Sequence, residues 1–223
     1  MEHMDLERDG EVFVLCLTDG DNRFNWDSVA EWNLALDEVE ASDGPAALVT
    51  TGTGKFYSNG LDLDALMADA GERDSFVPDV LRLFARMLRL PVATVAAVNG
   101  HAFAAGMMMA LVHDLRVTRA DRGFWCLPEV DLGMPLGEGL NDLIVAKLPT
   151  VVAHEAIMTG RRYGGADAAA AGIAQEAVAE DEVLPRAVEL AAAQVGKDRG
   201  TVVALRTRLH RELIASLERS DLS

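Results

Sequence analysis

Residues 92–112 read VATVAAVNGHAFAAGMMMALV, and this stretch decides the fold. Its first part, Val92–Val98, is apolar and rich in β-branched residues, which is typical of a strand buried on both faces. Asn99 and Gly100 then turn the chain, and Gly106–Val112 has the Met, Ala and Leu content of a helix. The stretch therefore predicts a central strand, a tight turn and a buried helix.

The same alternation of strands and helices extends over the first 130 residues. The other predicted strands are Glu11–Thr18, Pro45–Thr51, Phe56–Asn59, Asp114–Ala120 and Gly123–Cys126. Helices are predicted from about Asp27, where apolar residues recur at helical spacing, and over Val77–Leu90. Strands that alternate with helices indicate an α/β layer architecture.

The remaining segments predict a loop and a helical tail. Residues 65–75 are small and acidic, and a mobile loop is predicted there. From Gly137 onward the patterns are helical, with weak strand character only at Gln175–Ala179. We therefore expect an α/β core with the ligand pocket in residues 1–145, and a mostly helical region that contacts other subunits in residues 146–223.

The charge balance excludes several classes of partner. The chain has 36 acidic and 20 basic residues, a net charge of −16. Nucleic-acid binding depends on Lys and Arg that neutralise phosphates, so no nucleic-acid partner is expected. No apolar run reaches the roughly 18 residues of a membrane span, so no membrane insertion is expected. Without a signal-peptide pattern the expected location is cytoplasmic, and Cys16 and Cys126 are predicted to be buried thiols.

Two glycine-punctuated turns, residues 55–63 and 98–106, each follow an apolar strand and lead into a helix-like run. Small residues let a backbone approach a ligand closely, and free N–H groups at a helix start can hold a developing negative charge. Two such turns that converge would form an oxyanion hole. Each turn taken alone is better explained as an ordinary strand-to-helix connection.

A third segment, Leu127–Gly133, carries a candidate acid. Glu129 follows Pro128 and lies between apolar residues after a predicted strand. A carboxylate in an apolar setting has a raised pKa and can exchange protons near neutral pH. The alternative is a surface glutamate that caps the start of its own helix. The histidines are scattered, and no metal site is predicted.

The order and spacing of these three segments resemble the crotonase superfamily of enoyl-CoA hydratases and isomerases. The family patterns Phe-x-x-Gly-x-Asp-Leu, Asn-Gly-x-Ala-x-Gly-Gly-Gly and Pro-Glu-x-x-x-Gly read here YSNGLDL, NGHAFAAG and PEVDLG. A later stretch, MTGRRYGGADAAAAGIAQEAV, extends the resemblance to about residues 10–195. The resemblance implies a spiral of repeated ββα units with a C-terminal helical region. It also implies an acyl-CoA thioester as ligand, no cofactor beyond the CoA of the substrate, and a homotrimer or dimer of trimers.

Roles carried over by position follow from the same resemblance. The backbone N–H groups of Leu61 and Ala105 would form the oxyanion hole, and Glu129 would be the catalytic acid–base. The substrate-binding residues would include Ser58, Asn59, Gly60, Gly106 and Met108. Lys55 and Arg23 are the candidates to meet the CoA phosphates, although an exposed, solvated charge is the simpler explanation of each.

The residue at position 108 favours one reaction within the family. Family hydratases hold a water between two glutamates, and this chain has Met108 at the first of the two places and Glu129 at the second. A thioether cannot take or orient a water proton. The resemblance therefore favours an isomerase that moves one proton from C2 to C4 of a 3-enoyl-CoA. The alternatives are hydration, thioester hydrolysis, decarboxylation, or acyl-CoA binding without catalysis. Glu138 is a second candidate acid, for which helix capping is the simpler explanation.

Overall fold

Two β-sheets and a series of helices make up the described chain. The computed structural model describes residues 1–68 and 70–219, and for residues 67, 68 and 70–75 it describes the backbone alone. The strands in this part of the chain are β1 (Met4–Asp9), β2 (Val12–Leu17), β3 (Ala47–Gly52), β4 (Phe56–Ser58), β5 (Ala93–Val98), β6 (His101–Phe103), β7 (Leu115–Arg119), β8 (Phe124–Cys126), β9 (Tyr163–Gly164) and β10 (Glu176–Val178). The α-helices are α1 (Trp26–Ala41), α2 (Leu63–Ala68), α3 (Ala70–Met87), α4 (Ala105–Val112), α5 (Glu129–Leu132), α6 (Glu138–Lys147), α7 (Thr150–Thr159), α8 (Gly165–Ala170), α9 (Val183–Ala192), α10 (Arg199–Leu209) and α11 (Arg211–Arg219).

The two sheets differ in size. The large sheet has the order β1-β2-β3-β5-β7-β10, and the small sheet has the order β4-β6-β8-β9. All neighbouring strands are parallel except β1 with β2 and β8 with β9, which are antiparallel pairs at sheet edges. The carboxyl ends of β4, β6 and β8 therefore meet at one edge of the small sheet.

A ββα unit repeats along the chain. One strand of the large sheet is followed by one strand of the small sheet and then by a helix, as in β3-β4-α2, β5-β6-α4 and β7-β8-α5. Side chains stabilise the tight turns between the sheets: Asn99 accepts the Gly52 N–H at 3.0 Å, and the Asn22 amide donates to the Phe56 carbonyl at 3.0 Å. The repeat confirms the predicted spiral α/β fold with a C-terminal helical region.

Each face of the large sheet is buried against helices. One face packs in the main core with α1, α3 and α4. On the other face, Val183, Ala187 and Ala191 of α9 are buried against Val49 and Val95, because successive strand residues point to opposite faces. The C-terminal α11 packs on α3 and α6. The predicted boundary between residues 145 and 146 falls inside α6.

Most predicted elements are confirmed, and three predictions are wrong. Residues 65–75 were predicted as a loop, but the described backbone there is helical, in α2 and α3; residue 69 lies outside the described part. The longer turn predicted over residues 98–106 contains β6, and the helical tail contains β9. The edge strand β1 was not predicted, because its sequence MDLERD is mostly polar and its residues are mostly exposed.

Candidate active site

A cavity of about 390 Å³ lies at the edge where β4, β6 and β8 end. Of the predicted site residues, the structure brings together Arg23, Asn59, Leu61, Ala105, Met108 and Glu129 in its lining. They come from four separate segments of the chain. The convergence that the sequence patterns required is therefore present in the structure.

The backbone N–H of Leu61 has no hydrogen-bond acceptor within the described residues. Leu61 forms an isolated parallel bridge with Phe24, in which the Phe24 N–H donates to the Gly60 carbonyl at 2.8 Å and the Asp62 N–H donates to the Phe24 carbonyl at 2.9 Å. Because neighbouring residues in a ladder face opposite ways, this pairing turns the Leu61 N–H away from Phe24. A donor is left unpaired in the cavity wall.

The second turn presents an unpaired donor because a backbone bend starts a helix there. Ala104 donates its N–H to the Cys126 carbonyl at 2.9 Å and has φ +48° and ψ −124°, a conformation that favours glycine. This bend starts α4 at Ala105, whose N–H belongs to the first helical turn and has no acceptor among the described residues. The two alanines in place of the family's glycines are thus accommodated, at the cost of strain at Ala104.

Gly60 holds the two turns against each other. It has φ +84°, and a Cβ added there would lie 3.0 Å from the Ala104 Cβ, 3.0 Å from the Phe103 carbonyl oxygen and 3.4 Å from the Ala105 nitrogen. Gly60 therefore lies behind the donors, where it permits their close approach, and it does not line the cavity itself.

Glu129 supplies a buried acid to the lining of the cavity. It begins α5 directly after β8, and its Oε2 is buried without a hydrogen-bond partner among the described residues. Burial raises the pKa of the Glu129 carboxyl above its ordinary value, and a hydrogen bond from its own backbone N–H opposes the shift. The geometry differs from that of a solvated surface cap, because one carboxylate oxygen is buried and unpaired.

The other acids near the cavity are placed differently from Glu129. Asp64 lines the cavity, but its side chain is 96% exposed and pairs with Arg23 at 3.5 Å. Glu138 is exposed in the first turn of α6 and is absent from the lining, which agrees with the capping interpretation. At position 108, where a second carboxylate would stand, the Met108 thioether is buried.

Four predicted binding residues do not line the cavity. Ser58 is fully buried and its Oγ accepts the Gly60 N–H at 3.3 Å, so it supports the first turn from behind. A Cβ on Gly106 would collide with the Ser58 carbonyl, so Gly106 lets α4 pack on β4. Lys55 is exposed, with its Nζ 4.9 Å from the centre of the Phe56 ring. Gly60 is the fourth of these residues.

Arg23 reaches the cavity with its charge already compensated. It pairs with Asp21 at 3.1 Å, Asp64 at 3.5 Å and Asp62 at 3.7 Å. Three carboxylates around one guanidinium leave little net positive charge for a phosphate.

An apolar wall completes the cavity, and the sequence patterns did not predict it. It consists of Phe103, Leu132, Met134, Pro135, Leu136 and Leu140. The signal was present as the apolar spacing after Glu129, but it was indistinguishable from ordinary core. Among the described residues there is no cluster of His, Cys, Asp and Glu that could hold a metal ion.

A match of nearly the whole sequence to a known protein family agrees with this geometry. A family model described as Enoyl-CoA hydratase/isomerase matches residues 7–221. The chain belongs to the enoyl-CoA hydratase/isomerase family. It is accordingly an enzyme of the enoyl-CoA isomerase/hydratase type with crotonase-type acyl-CoA chemistry, as the resemblance predicted.

Relatives within the family include proteins named for two reactions. Enoyl-CoA delta isomerase 3 of Arabidopsis thaliana is 39% identical over 180 residues, which cover 77% of this chain and 75% of that protein. Carnitinyl-CoA dehydratase of Escherichia coli K12 is 30% identical over 208 residues, 92% of this chain and 79% of that protein.

Solved structures of the enoyl-CoA hydratase/isomerase family have the same fold. The apo structure of the Mtb enoyl-CoA isomerase has a TM-score of 0.90 at 25% identity and covers 97% of this chain and 95% of that one. A family protein from Pseudomonas syringae has a TM-score of 0.93 at 24% identity and covers 99% and 96%.

The location of the enzyme stays a prediction. Two further Arabidopsis thaliana relatives are named as peroxisomal, so the expected cytoplasmic location is not confirmed. None of the helices in the described part of the chain is long and apolar enough to cross a membrane.

Proposed function

We propose that this enzyme converts 3-enoyl-CoA to the conjugated 2-enoyl-CoA, with Glu129 as the single proton carrier. The observation that carries the proposal is the buried, unpaired Oε2 of Glu129 in a cavity whose wall also has two unpaired backbone donors. The relatives named enoyl-CoA delta isomerase support the same reaction.

The mechanism uses the groups of the cavity in two proton transfers. The thioester oxygen accepts hydrogen bonds from the Leu61 and Ala105 N–H groups. The ionised Glu129 removes a proton from C2, and the electron pair moves into a dienolate that the two donors stabilise, each by about 3 kcal/mol. The protonated Glu129 then delivers the same proton to C4. No atom is gained or lost, and the steps draw on no metal or redox cofactor.

The raised pKa of Glu129 suits this cycle. A proton carrier works best when its pKa lies close to the operating pH, because it must both take and return the proton. Burial destabilises the ionised form and strengthens it as a base. The soft, apolar Met108 in the same lining takes the place of a second buried acid that could hold a water for addition.

The test is the turnover of 3-enoyl-CoA esters by Glu129→Gln, followed by the absorbance of the conjugated thioester. We expect at least about a 100-fold loss of kcat, since a positioned proton carrier contributes on the order of 10² or more, with ligand binding kept. Glu138→Gln is the matched control, because it removes an exposed acid that does not line the cavity. Full turnover in Glu129→Gln would rule out the proton carrier.

The alternative reactions have different products and are outcomes of the same assay. Mass spectrometry distinguishes hydration, which adds water, from isomerisation, which conserves the formula. Release of free CoA thiol would indicate thioester hydrolysis, and release of CO₂ would indicate decarboxylation. Binding of acyl-CoA without turnover across chain lengths would indicate a non-catalytic protein.

We also propose the homotrimer, or dimer of trimers, that the resemblance implies. It is supported by exposed apolar side chains on the adjacent α5 and α7 and after α5: Val130, Leu132, Met134, Val151 and Met158. Exposed apolar patches of this kind mark protein contacts. Sedimentation at micromolar concentration tests this, and a monomer would contradict it.

A further inference from the structure

Three polar side chains deep in the core form a continuous series of hydrogen bonds. Tyr57, Thr50 and His113 are each 0% exposed. The Tyr57 hydroxyl lies 2.8 Å from the Thr50 Oγ1, and this oxygen lies 2.9 Å from the His113 Nε2. The His113 Nδ1 lies 2.8 Å from the Met109 carbonyl oxygen. We call the side chains of Tyr57, Thr50 and His113 the polar network.

The direction of each hydrogen bond in the polar network follows from its last acceptor. A carbonyl oxygen only accepts, so the His113 Nδ1 carries a proton. Burial lowers the pKa of His113 to about 4, so the ring is neutral at pH 7 and its Nε2 accepts. The Thr50 hydroxyl therefore donates to Nε2, and the Tyr57 hydroxyl, which stays protonated because burial raises its pKa, donates to Thr50. Each donor of the polar network thus has an acceptor.

The polar network joins both sheets to one helix. Thr50 lies in β3 of the large sheet, Tyr57 lies in β4 of the small sheet, and His113 directly follows α4. The strand β4 leads into the turn that presents the Leu61 N–H, and α4 begins with the Ala105 N–H. The polar network therefore connects, through one threonine, the two segments that carry the unpaired backbone donors of the cavity.

The helix α4 has few directional contacts of its own. Its sequence AGMMMALV contains no side chain that forms a strong hydrogen bond, and no side chain caps its first turn. Methionine side chains are flexible and fill irregular space, so three of them in succession specify the position of a helix poorly. A fully satisfied polar network, by contrast, makes a buried region rigid and favours a single arrangement.

Two contacts at opposite ends define the axis of α4. At its first turn, Gly106 lies directly against the Ser58 carbonyl, with no space for a Cβ. At its other end, roughly 12 Å further along an eight-residue helix, His113 is bonded to Thr50. The first contact alone would allow the helix to pivot, because it contains no directional bond. The second contact fixes the direction in which the Ala105 N–H points.

We infer that the residues of the polar network are positioning residues for the isomerisation, which keep the Ala105 N–H aligned with the Leu61 N–H. The inference rests on the proposed function, since it requires a thioester oxygen between the two donors. Tyr57, Thr50 and His113 are absent from the described lining of the cavity, so they act through the backbone. Loss of the polar network should weaken stabilisation of the dienolate more than binding of the substrate, because aligned donors matter most where negative charge develops.

The experiment compares Thr50→Val with Thr50→Ser and Val49→Ala. Valine has the shape of threonine without the hydroxyl, so it leaves Tyr57 without an acceptor and the His113 Nε2 without a donor. Serine keeps the hydroxyl and loses only a methyl group. Val49→Ala is the matched control, because Val49 is fully buried on the opposite face of the same strand, where its loss lowers stability without touching the polar network.

Turnover of 3-enoyl-CoA and unfolding in urea are measured for each variant. We expect kcat to fall about tenfold or more in Thr50→Val, with KM changed less than about twofold, since misplacing a group in the active site by about 1 Å costs up to about 100-fold. Thr50→Ser and Val49→Ala should lower the urea midpoint and keep kcat within about twofold of wild type. A purely structural role would lower the midpoint in all three variants and leave kcat unchanged in all of them.

The carbonyl stretching frequency of bound 2-enoyl-CoA reports the two donors directly. Hydrogen bonds to a carbonyl oxygen weaken the C=O bond, so wild-type enzyme should lower the frequency of an isotope-labelled thioester relative to the free ligand. This shift should be smaller in Thr50→Val and unchanged in Val49→Ala. Tyr57→Phe should change it in the same direction by a smaller amount, because this variant leaves no donor of the polar network without an acceptor. If Thr50→Val does not fold, Tyr57→Phe is compared with Val49→Ala instead.

An unchanged carbonyl frequency in Thr50→Val would overturn the inference, whatever the urea midpoint of that variant. It would also be overturned if Thr50→Ser lost as much kcat as Thr50→Val, since the hydroxyl would then be irrelevant. Failure of the proposed function is distinguishable, because the frequency is measured without turnover. Wild-type enzyme that shifts the frequency but forms no conjugated thioester would contradict the isomerase alone.

Discussion

Replacement of Gly60 by alanine tests whether the two backbone donors must be held together. A Cβ at this position would lie 3.0 Å from both the Ala104 Cβ and the Phe103 carbonyl oxygen. These are a methyl group and a backbone atom, so neither can rotate away, and the two turns must separate by several tenths of an ångström. Gly54→Ala is the matched control: φ is also positive, at +67°, but an added Cβ meets nothing within 4 Å.

The expected losses of stability and of kcat follow from these two environments. A left-handed alanine costs about 1–2 kcal/mol, and the less flexible unfolded chain returns about 0.4–1 kcal/mol. Gly54→Ala should therefore lower the free energy of unfolding by about 1 kcal/mol. Gly60→Ala adds an overpacking cost of about 1–3 kcal/mol. If the separation displaces one donor, kcat should fall on the order of 100-fold.

The assay compares kcat for 3-enoyl-CoA with the free energy of unfolding in urea for both variants. Gly54→Ala should lose stability and keep its kcat, whereas Gly60→Ala should lose both. If Gly60→Ala turned over substrate at the wild-type rate, the close approach of the two turns would be irrelevant to catalysis, and the role given to Leu61 and Ala105 would fail. Equal losses of kcat in both variants would show that backbone strain alone is responsible.

Three further predictions concern strain and protonation. Ala104→Gly should raise the free energy of unfolding by about 1 kcal/mol, because glycine adopts φ +48° without steric cost; an unchanged urea midpoint would contradict the strain. The pKa of His113 is lowered by burial to about 4, below its ordinary 6.5, so the folded state binds fewer protons and stability falls as pH drops through this window. His113→Gln should show a smaller loss of stability between pH 7 and pH 4.5 than wild type, and equal losses would refute this origin. For Glu129, kcat/KM should decline on the acid side with an inflection above pH 4.5, because burial raises the pKa of a base that must be ionised; an inflection at or below 4.5 would contradict it.

Strands of the large sheet could be predicted because their composition reflects burial on both faces. The prediction over Val92–Val98 agrees with β5, and that over Glu11–Thr18 agrees with β2. The helix predicted from Val77 begins in fact at Ala70. The start was misplaced because the small, acidic residues 65–75 lack an apolar helical pattern, and α3 also contains Pro78.

Local sequence patterns could not show that these short strands pair into one small sheet. Its strands have only two or three residues, too few for alternation to register. The pairing of Trp125 with Tyr163 joins distant parts of the chain and brings Arg162 beside Phe103. The contact between Arg162 and the Phe103 ring is therefore a consequence of topology alone.

The presence of one buried acid in the described lining of the cavity is consistent with what burial costs. A carboxyl group in an apolar wall is stable only if its ionised form is solvated or paired, or if it is protonated, and Glu129 lacks a partner for one of its oxygens among the described residues. A second carboxylate at position 108 would stand where the side chain is only 1% exposed, and it would push the pKa of Glu129 further upward by like-charge repulsion. Met108 avoids that repulsion, and burial is then the main cause of the raised pKa of Glu129. We expect Met108→Glu to lower stability and to move the acid-side inflection of kcat/KM to higher pH. If the inflection did not move, the side chain at position 108 would not face Glu129, and the argument from the missing second acid would fail.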